Sequence, residues 1–169
     1  MLRYLGYRWQ DIDSALSAMI DECIAEIEDT AQPKYCTRRL DIVDIRFEGK
    51  DIAARLTGCP SCILMAATLG VETDRLIQRY AVRDINRSLL LDAAASSLIE
   101  SVCDNIQAQL NTEHDTKQRF SPGYGDFPLS FQPHLLRLVG AEKIGLYCNE
   151  SFLLLPRKSV TAVVGIKTI

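Results

Sequence analysis

The stretch CILMAATLG, Cys62 to Gly70, limits what the rest of the chain can fold into. It is short, almost continuously apolar, and stopped by a glycine. That pattern fits a strand buried on both faces, so other elements have to cover it from two sides. The chain has the material for this. Hydrophobic residues make up 47% of its 169 residues and charged residues 24%, a balance that supports a packed core and argues against disorder. The length suits one domain spanning residues 1–169.

Helical and strand patterns flank that strand in unequal blocks. From Asp11 to Asp29, Ile12, Leu16, Met19, Ile20, Cys23, Ile24 and Ile27 recur at steps of three and four, the stripe of an amphipathic helix. In TRRLDIVDIRF the alternation changes phase, which predicts a strand with a bulge at Ile42-Val43. A short helix is expected from Asp51 to Leu56, stopped by Gly58, and another from Val71 to Tyr80. A longer helix is expected from about Asn86 to Leu110, with Leu91, Ala95, Leu98, Ile99, Val102, Ile106 and Leu110 as its apolar stripe. Its other face carries Ala93, Ser96, Ser97, Glu100 and Asp104. Such a face is usually solvated, although small residues also permit close approach of another element. Phe131 to Val139 reads as helix, stopped at Gly140, and KIGLYCNESFLLLPRKSVTAVVGI as two or three strands with a turn at Pro156-Arg157-Lys158. Blocks of this kind, without strict βαβ alternation, predict an α+β domain with a mostly antiparallel sheet.

Charge and motifs narrow the function classes. The net charge is -3 and the pI about 5.4, against the basic face of a general nucleic-acid binder. Lys34, Arg38 and Arg39 form only a local basic cluster. No apolar run approaches the roughly 20 residues that span a bilayer. The start, MLRYLGYRWQDIDSAL, lacks the pattern of a signal peptide, so a cytoplasmic protein is expected. In that compartment Cys23, Cys36, Cys59, Cys62, Cys103 and Cys148 are expected as free thiols. Cys59-Pro-Ser-Cys62 has the C-x-x-C spacing of metal and redox sites. It leads into a strand, however, and neither Cys36 nor His114 and His134 completes a matched ligand set, so no metal is expected. Walker-type, G-x-S-x-G and H-E-x-x-H motifs are absent.

RFSPGYGDFP, Arg119 to Pro128, remains. Its prolines and glycines exclude a helix interior, and its aromatic residues exclude a flexible linker. A stiff loop of this kind exposes backbone groups to a ligand at low entropic cost. Arg119 can grip a carboxylate in two-pronged fashion, and Tyr124 can stack on a flat ring or a cation. The combination suits a zwitterionic or nucleoside-like small molecule. On residue type alone, a structural loop with Arg119 in a surface ion pair is the commoner outcome.

RFSPGY resembles the R-x-x-x-G-Y motif of the reactivation domain of cobalamin-dependent methionine synthase. NESFLLLPRKSV is similar to that domain's T-E-S-F-x-M-x-P-x-x-S-V segment, in the same order and at similar separation. LIESVCD resembles the helix that supplies a glutamate near the ligand, and LRYLGYR and LTGCPSCILMAATLG resemble short stand-alone members of the superfamily. The resemblance implies a twisted antiparallel sheet with flanking helices that binds S-adenosylmethionine and docks over the corrin ring of a cobalamin held by a partner. That partner would be the cobalamin-binding module of methionine synthase or another corrinoid protein, with a flavodoxin-like reductant supplying an electron.

By the same resemblance, Arg119 would hold the ligand's carboxylate, Ser121 and Gly123 would present backbone groups, and Tyr124 would line the pocket. Glu100 would sit near the amino or sulfonium end. Glu150 and Ser151 would face the corrin. No catalytic acid or base is implied; the chain would act by positioning the methyl donor. Two family features find no match: an aspartate in an additional N-terminal segment, and a tyrosine pair beyond the last strand, where this sequence reads VVGIKTI. A non-catalytic docking partner of a corrinoid protein, or a domain with an altered ligand, is therefore the alternative expectation.

Overall fold

The computed structural model describes residues 13–167. The N-terminal LRYLGYR segment, and Asp11 and Ile12 of the first expected helix, lie outside the described residues. Helix α1 spans Ser14–Thr30, and Asp13 caps it by accepting from the Leu16 N–H. Strand β1 (Lys34–Asp41), helix α2 (Lys50–Leu56) and strand β2 (Ser61–Thr68) follow. Helices α3 (Val71–Arg83) and α4 (Ile85–Glu113) come next, then the Arg119–Pro128 loop and helix α5 (Gln132–Val139). The chain closes with the two-residue strands β3 (Tyr147–Cys148) and β4 (Leu154–Leu155) and strand β5 (Ser159–Ile166).

The main sheet is antiparallel in the order β1-β2-β5. All eight residues of the central strand β2 are buried, as its unbroken apolar pattern requires. Ile63, Met65 and Ala67 face a cluster built with α1, α3 and α4. Cys62, Leu64 and Ala66 face the opposite cluster, with α2, α5, Phe127 and Phe131. The domain is thus α+β, an antiparallel sheet with helices on both faces. Arg87 of α4 ties the first layer together, donating to Glu22 and Glu26 of α1 at 3.1 and 2.8 Å.

Two expectations need correction. There is no bulge at Ile42-Val43. β1 ends at Asp41, and Ile42–Asp44 form a single 3-10 turn closed by the Ile45 N–H on the Ile42 carbonyl. The phase change marks the end of the strand, and Val43 points outward, 90% exposed. The small-residue face of α4 is only partly solvated. Ala93 is buried, and the positions four apart engage cations from elsewhere in the chain. Asp92 and Ser96 hold Lys158 Nζ at 2.9 and 2.8 Å, and Glu100 and Asp104 hold Arg119.

All six cysteines are free thiols. Cys23, Cys62 and Cys103 are fully buried, and burial pushes the Cys62 and Cys103 thiols up to about 12. His134 is exposed and set edge-on to the Phe131 ring at 5.2 Å; His114 caps the end of α4. Among the described residues no group of three or more His, Cys, Asp or Glu side chains is placed to hold a metal, and no helix is long and apolar enough to cross a membrane.

Candidate functional site

The Arg119–Pro128 loop begins as an edge of the sheet. Thr116 and Phe120 bridge to Ile166 and Val163 of β5, and Val163 exchanges both backbone bonds with Phe120, at 2.9 and 2.8 Å. The buried Gln107 side chain of α4 accepts from the Arg119 N–H at 3.2 Å and donates to Thr116 Oγ1 at 2.8 Å, pinning this edge to the long helix. The chain then turns away: the Tyr124 N–H bonds the Ser121 carbonyl, and the Gly123 N–H bonds the Phe127 carbonyl. Gly123 has φ 91°, where a side chain would be strained, and an added Cβ would also press on Leu129 at 3.3 Å.

Where the loop leaves β5 a cavity of about 520 Å³ opens. It wraps the free edge of the strand from the α4 side to the α5 side. Glu100, Arg119, Ser121 and Tyr124 line it. Gly123 does not. Its N–H donates to the Phe127 carbonyl, and the Ser121 carbonyl accepts from the Tyr124 N–H within the loop itself.

Arg119 dominates the electrostatics. Its side chain is only 13% exposed and donates from Nη1 to Asp104 at 2.7 Å and from Nη2 to Glu100 at 2.8 Å. Burial opposes its charge, but the hydrogen bonds to Asp104 and Glu100 outweigh that and hold the guanidinium above its ordinary pKa. The expected ion pair and the expected cavity residue are therefore the same group. Arg55 of α2 also reaches the cavity, its guanidinium 5.2 Å from the centre of the Phe120 ring.

Glu150 and Ser151 lie exposed on the turn between β3 and β4. Asn149 Oδ1 accepts from the Ser151 and Leu153 N–H groups and holds that turn. The next residue, Phe152, adopts φ 63°, rare for a bulky side chain, and it lines the cavity together with Leu153 and Leu154. The segment expected to face a corrin and the cavity expected to hold the ligand thus share one wall; they are not separate surfaces.

Sequence reasoning missed Arg55, Gln132, Phe152 and Thr161 as cavity residues. Phe152 lay within the matched NESFLLLP segment and could have been taken from it. Gln132 and Thr161 meet across the α5–β5 contact, which leaves no mark in local sequence.

The fold and cavity together define a class, an antiparallel α+β domain with a ligand-sized cleft at the open edge of its sheet. Within that class the chain is similar to the crystal structure of the MetH reactivation domain bound to AdoHcy, with a TM-score of 0.73 over 98% of this chain and 72% of that one, at 14% identity. The likeness is one of fold. No protein-family model and no curated protein matches the sequence.

Proposed function

We propose that the chain binds S-adenosylmethionine in the Arg119 cavity and acts as a reactivation-domain-like protein in the reductive methylation of a partner's cobalamin. The observation that carries this reading is the convergence of Glu100, Arg119, Ser121 and Tyr124 on one cavity, in a fold like that of a domain solved with AdoHcy. The volume falls within the range of small-molecule sites. Two carboxylates around one guanidinium favour a ligand that brings cationic ammonium and sulfonium groups as well as a carboxylate. The ligand carboxylate would take the place of Asp104, 68% exposed, on Arg119 Nη1, while Glu100 keeps Nη2 and faces the cationic end.

The chemistry asked of this chain is positioning. The partner's cobalamin, after one-electron reduction by a flavodoxin-like donor, would receive the methyl group. The residues here hold the methyl donor, exclude water along the Phe120, Leu129 and Leu154 walls and present it toward the Glu150-Ser151 turn.

One observation favours a second reading, a cavity with an altered ligand. Both donor prongs of Arg119 are already occupied by acids of this chain. Calorimetry separates the two. Saturable binding of one equivalent of S-adenosylmethionine, weakened by Arg119→Ala, supports the proposal. Absence of heat from S-adenosylmethionine and S-adenosylhomocysteine rejects it. Capture of a corrinoid protein without either ligand would then favour a non-catalytic docking partner.

A further inference from the structure

The cavity has a second polar end that the Arg119 cluster does not use. Gln132, the first residue of α5, is only 4% exposed, and Thr161 of β5 only 2%; both line the cavity. Thr161 Oγ1 donates to Gln132 Oε1 at 3.0 Å. That bond engages the amide oxygen and fixes which way the amide faces. The Nε2 amino group, with two N–H donors, has no partner among the described residues. The fully occluded side-chain atoms that lack partners among the described residues are Ser61 Oγ and Arg87 Nε. Nε2 is not one of them, and Gln132 is a lining residue of the cavity. Buried donors are normally satisfied, and an oriented amide without a partner for its N–H groups among the described residues, at the wall of a ligand-sized cavity, is suited to an acceptor on a ligand.

The strand edge adds to this. Val163 directs its N–H and C=O at Phe120, and the Gly165 C=O accepts from the Lys117 N–H. Two residues back, the same alternation turns the N–H and C=O of Thr161 to this edge, where the loop has already left the sheet. Gln132 and Thr161 therefore offer donors and an acceptor side by side at the end of an apolar slot.

We propose that Gln132 and Thr161 determine ligand specificity by reading the hydrogen-bonding edge of a flat nitrogen heterocycle, with the Gln132 amide donating to a ring nitrogen. This rests on the proposed S-adenosylmethionine reading and assigns its two ends: the charged amino-acid portion to Arg119 and Glu100, the purine to Gln132 and Thr161. A site built to hydrogen-bond its ligand discriminates strongly, because a ligand without the partner group leaves buried donors unpaired.

The test uses adenosine and S-adenosylmethionine as probes on the full chain. Calorimetry gives their affinities for wild type, Gln132→Met, which keeps the volume, and Arg119→Ala. The side-chain amide signal of Gln132 is followed by NMR in glutamine-labelled wild type. Gln132→Met should weaken both ligands about 10-fold or more, Arg119→Ala should weaken S-adenosylmethionine but not adenosine, and adenosine should shift the Gln132 amide signal. Unchanged affinities in Gln132→Met, an unmoved amide signal, or no adenosine binding at millimolar concentration would overturn the inference. The NMR result decides if Gln132→Met fails to fold. S-adenosylmethionine binding that depends on Arg119 but not on Gln132 defeats this inference and leaves the proposed function standing. Adenosine binding that depends on Gln132, with S-adenosylmethionine no tighter, does the reverse.

Discussion

Arg119 joins two roles that its sequence context left as alternatives. It is an ion-pairing residue, and of the two α4 acids it pairs with, Glu100 lines the cavity. Arg119→Ala should therefore separate binding from stability. Loss of a charge-assisted contact to a ligand costs on the order of 1.5–3 kcal/mol, seen as at least a 10-fold weaker Kd by calorimetry. Glu100 and Asp104, 44% and 68% exposed, stay hydrated when the arginine is removed, but its stem is largely buried, so urea unfolding should shift by about 1–2 kcal/mol without loss of the fold. Arg119→Lys should not restore binding, because one ammonium cannot span two acids as the planar fork does. The thiols yield a second residue-scale expectation. Native protein at pH 8 should be alkylated first at Cys36 and Cys148, while Cys23, Cys62 and Cys103 stay protonated and shielded, as mass spectrometry of timed samples can show. After denaturation under reducing conditions all six should react. Arg119 was legible beforehand because a lone cation at the mouth of a stiff loop stands out. Gln132 was not: a glutamine before a proline looks like a surface residue, and its burial comes from a contact with Thr161, 29 residues away.

At the scale of elements, the loop is held in place through the start of α2. Asp126 accepts from the Lys50 and Asp51 N–H groups at 2.7 and 2.9 Å, and Asp51 accepts in return from the Asp126 N–H at 3.1 Å. Each thus caps the other's segment. The backbone hydrogen bonds from Asp51 and then Lys50 lower the Asp126 pKa from its ordinary 3.8. A carboxylate depressed in the folded state stabilises fully above its unfolded pKa, and the contribution is lost as pH falls through the depressed value. Asp126→Asn should therefore melt below wild type at pH 7, and the difference in Tm should narrow as the pH drops below about 4. A difference independent of pH would mean the carboxylate charge plays no part. Gly125→Ala should be destabilising too, since φ is 56° and an added Cβ would meet the Asp51 carboxylate. Elements were legible where the pattern was local. The covered strand β2, the stripe of α4 and the stop at Gly140 all follow from periodicity and backbone preference. The end of β1 at Asp41 was not, because a phase change reads the same for a bulge as for a strand that stops and turns. The Asp51–Asp126 pair joins segments 75 residues apart and has no local signature.

At the scale of the whole molecule, the cavity and the β3–β4 turn form one continuous surface, and this shapes what a docking test has to distinguish. Glu150 and Ser151 are exposed, yet Phe152 beside them is a wall of the cavity. A change in the turn could disturb ligand binding by moving Phe152, so the variant has to preserve the turn's backbone. Glu150→Ala with Ser151→Ala does so, because the bonds that close the turn join backbone groups to one another and to Asn149 Oδ1, and none uses the Glu150 or Ser151 side chain. If this turn meets the partner's corrin, the double variant should bind S-adenosylmethionine as wild type does and methylate more slowly. The assay supplies a methionine synthase that lacks its own reactivation domain, with cob(II)alamin, a flavodoxin-like reductant and S-adenosylmethionine, and follows the absorbance of the methylated cofactor. Equal rates with wild type and double variant would remove the docking role from Glu150 and Ser151. Asn149→Ala should behave differently from both. It frees the Ser151 and Leu153 N–H groups and loosens the turn that positions Phe152, leaving only the backbone bonds between Asn149 and Phe152 and Leu153, so affinity for S-adenosylmethionine and methylation rate should fall together. A drop in rate alone in Asn149→Ala would mean that the turn serves the partner and contributes nothing to the cavity.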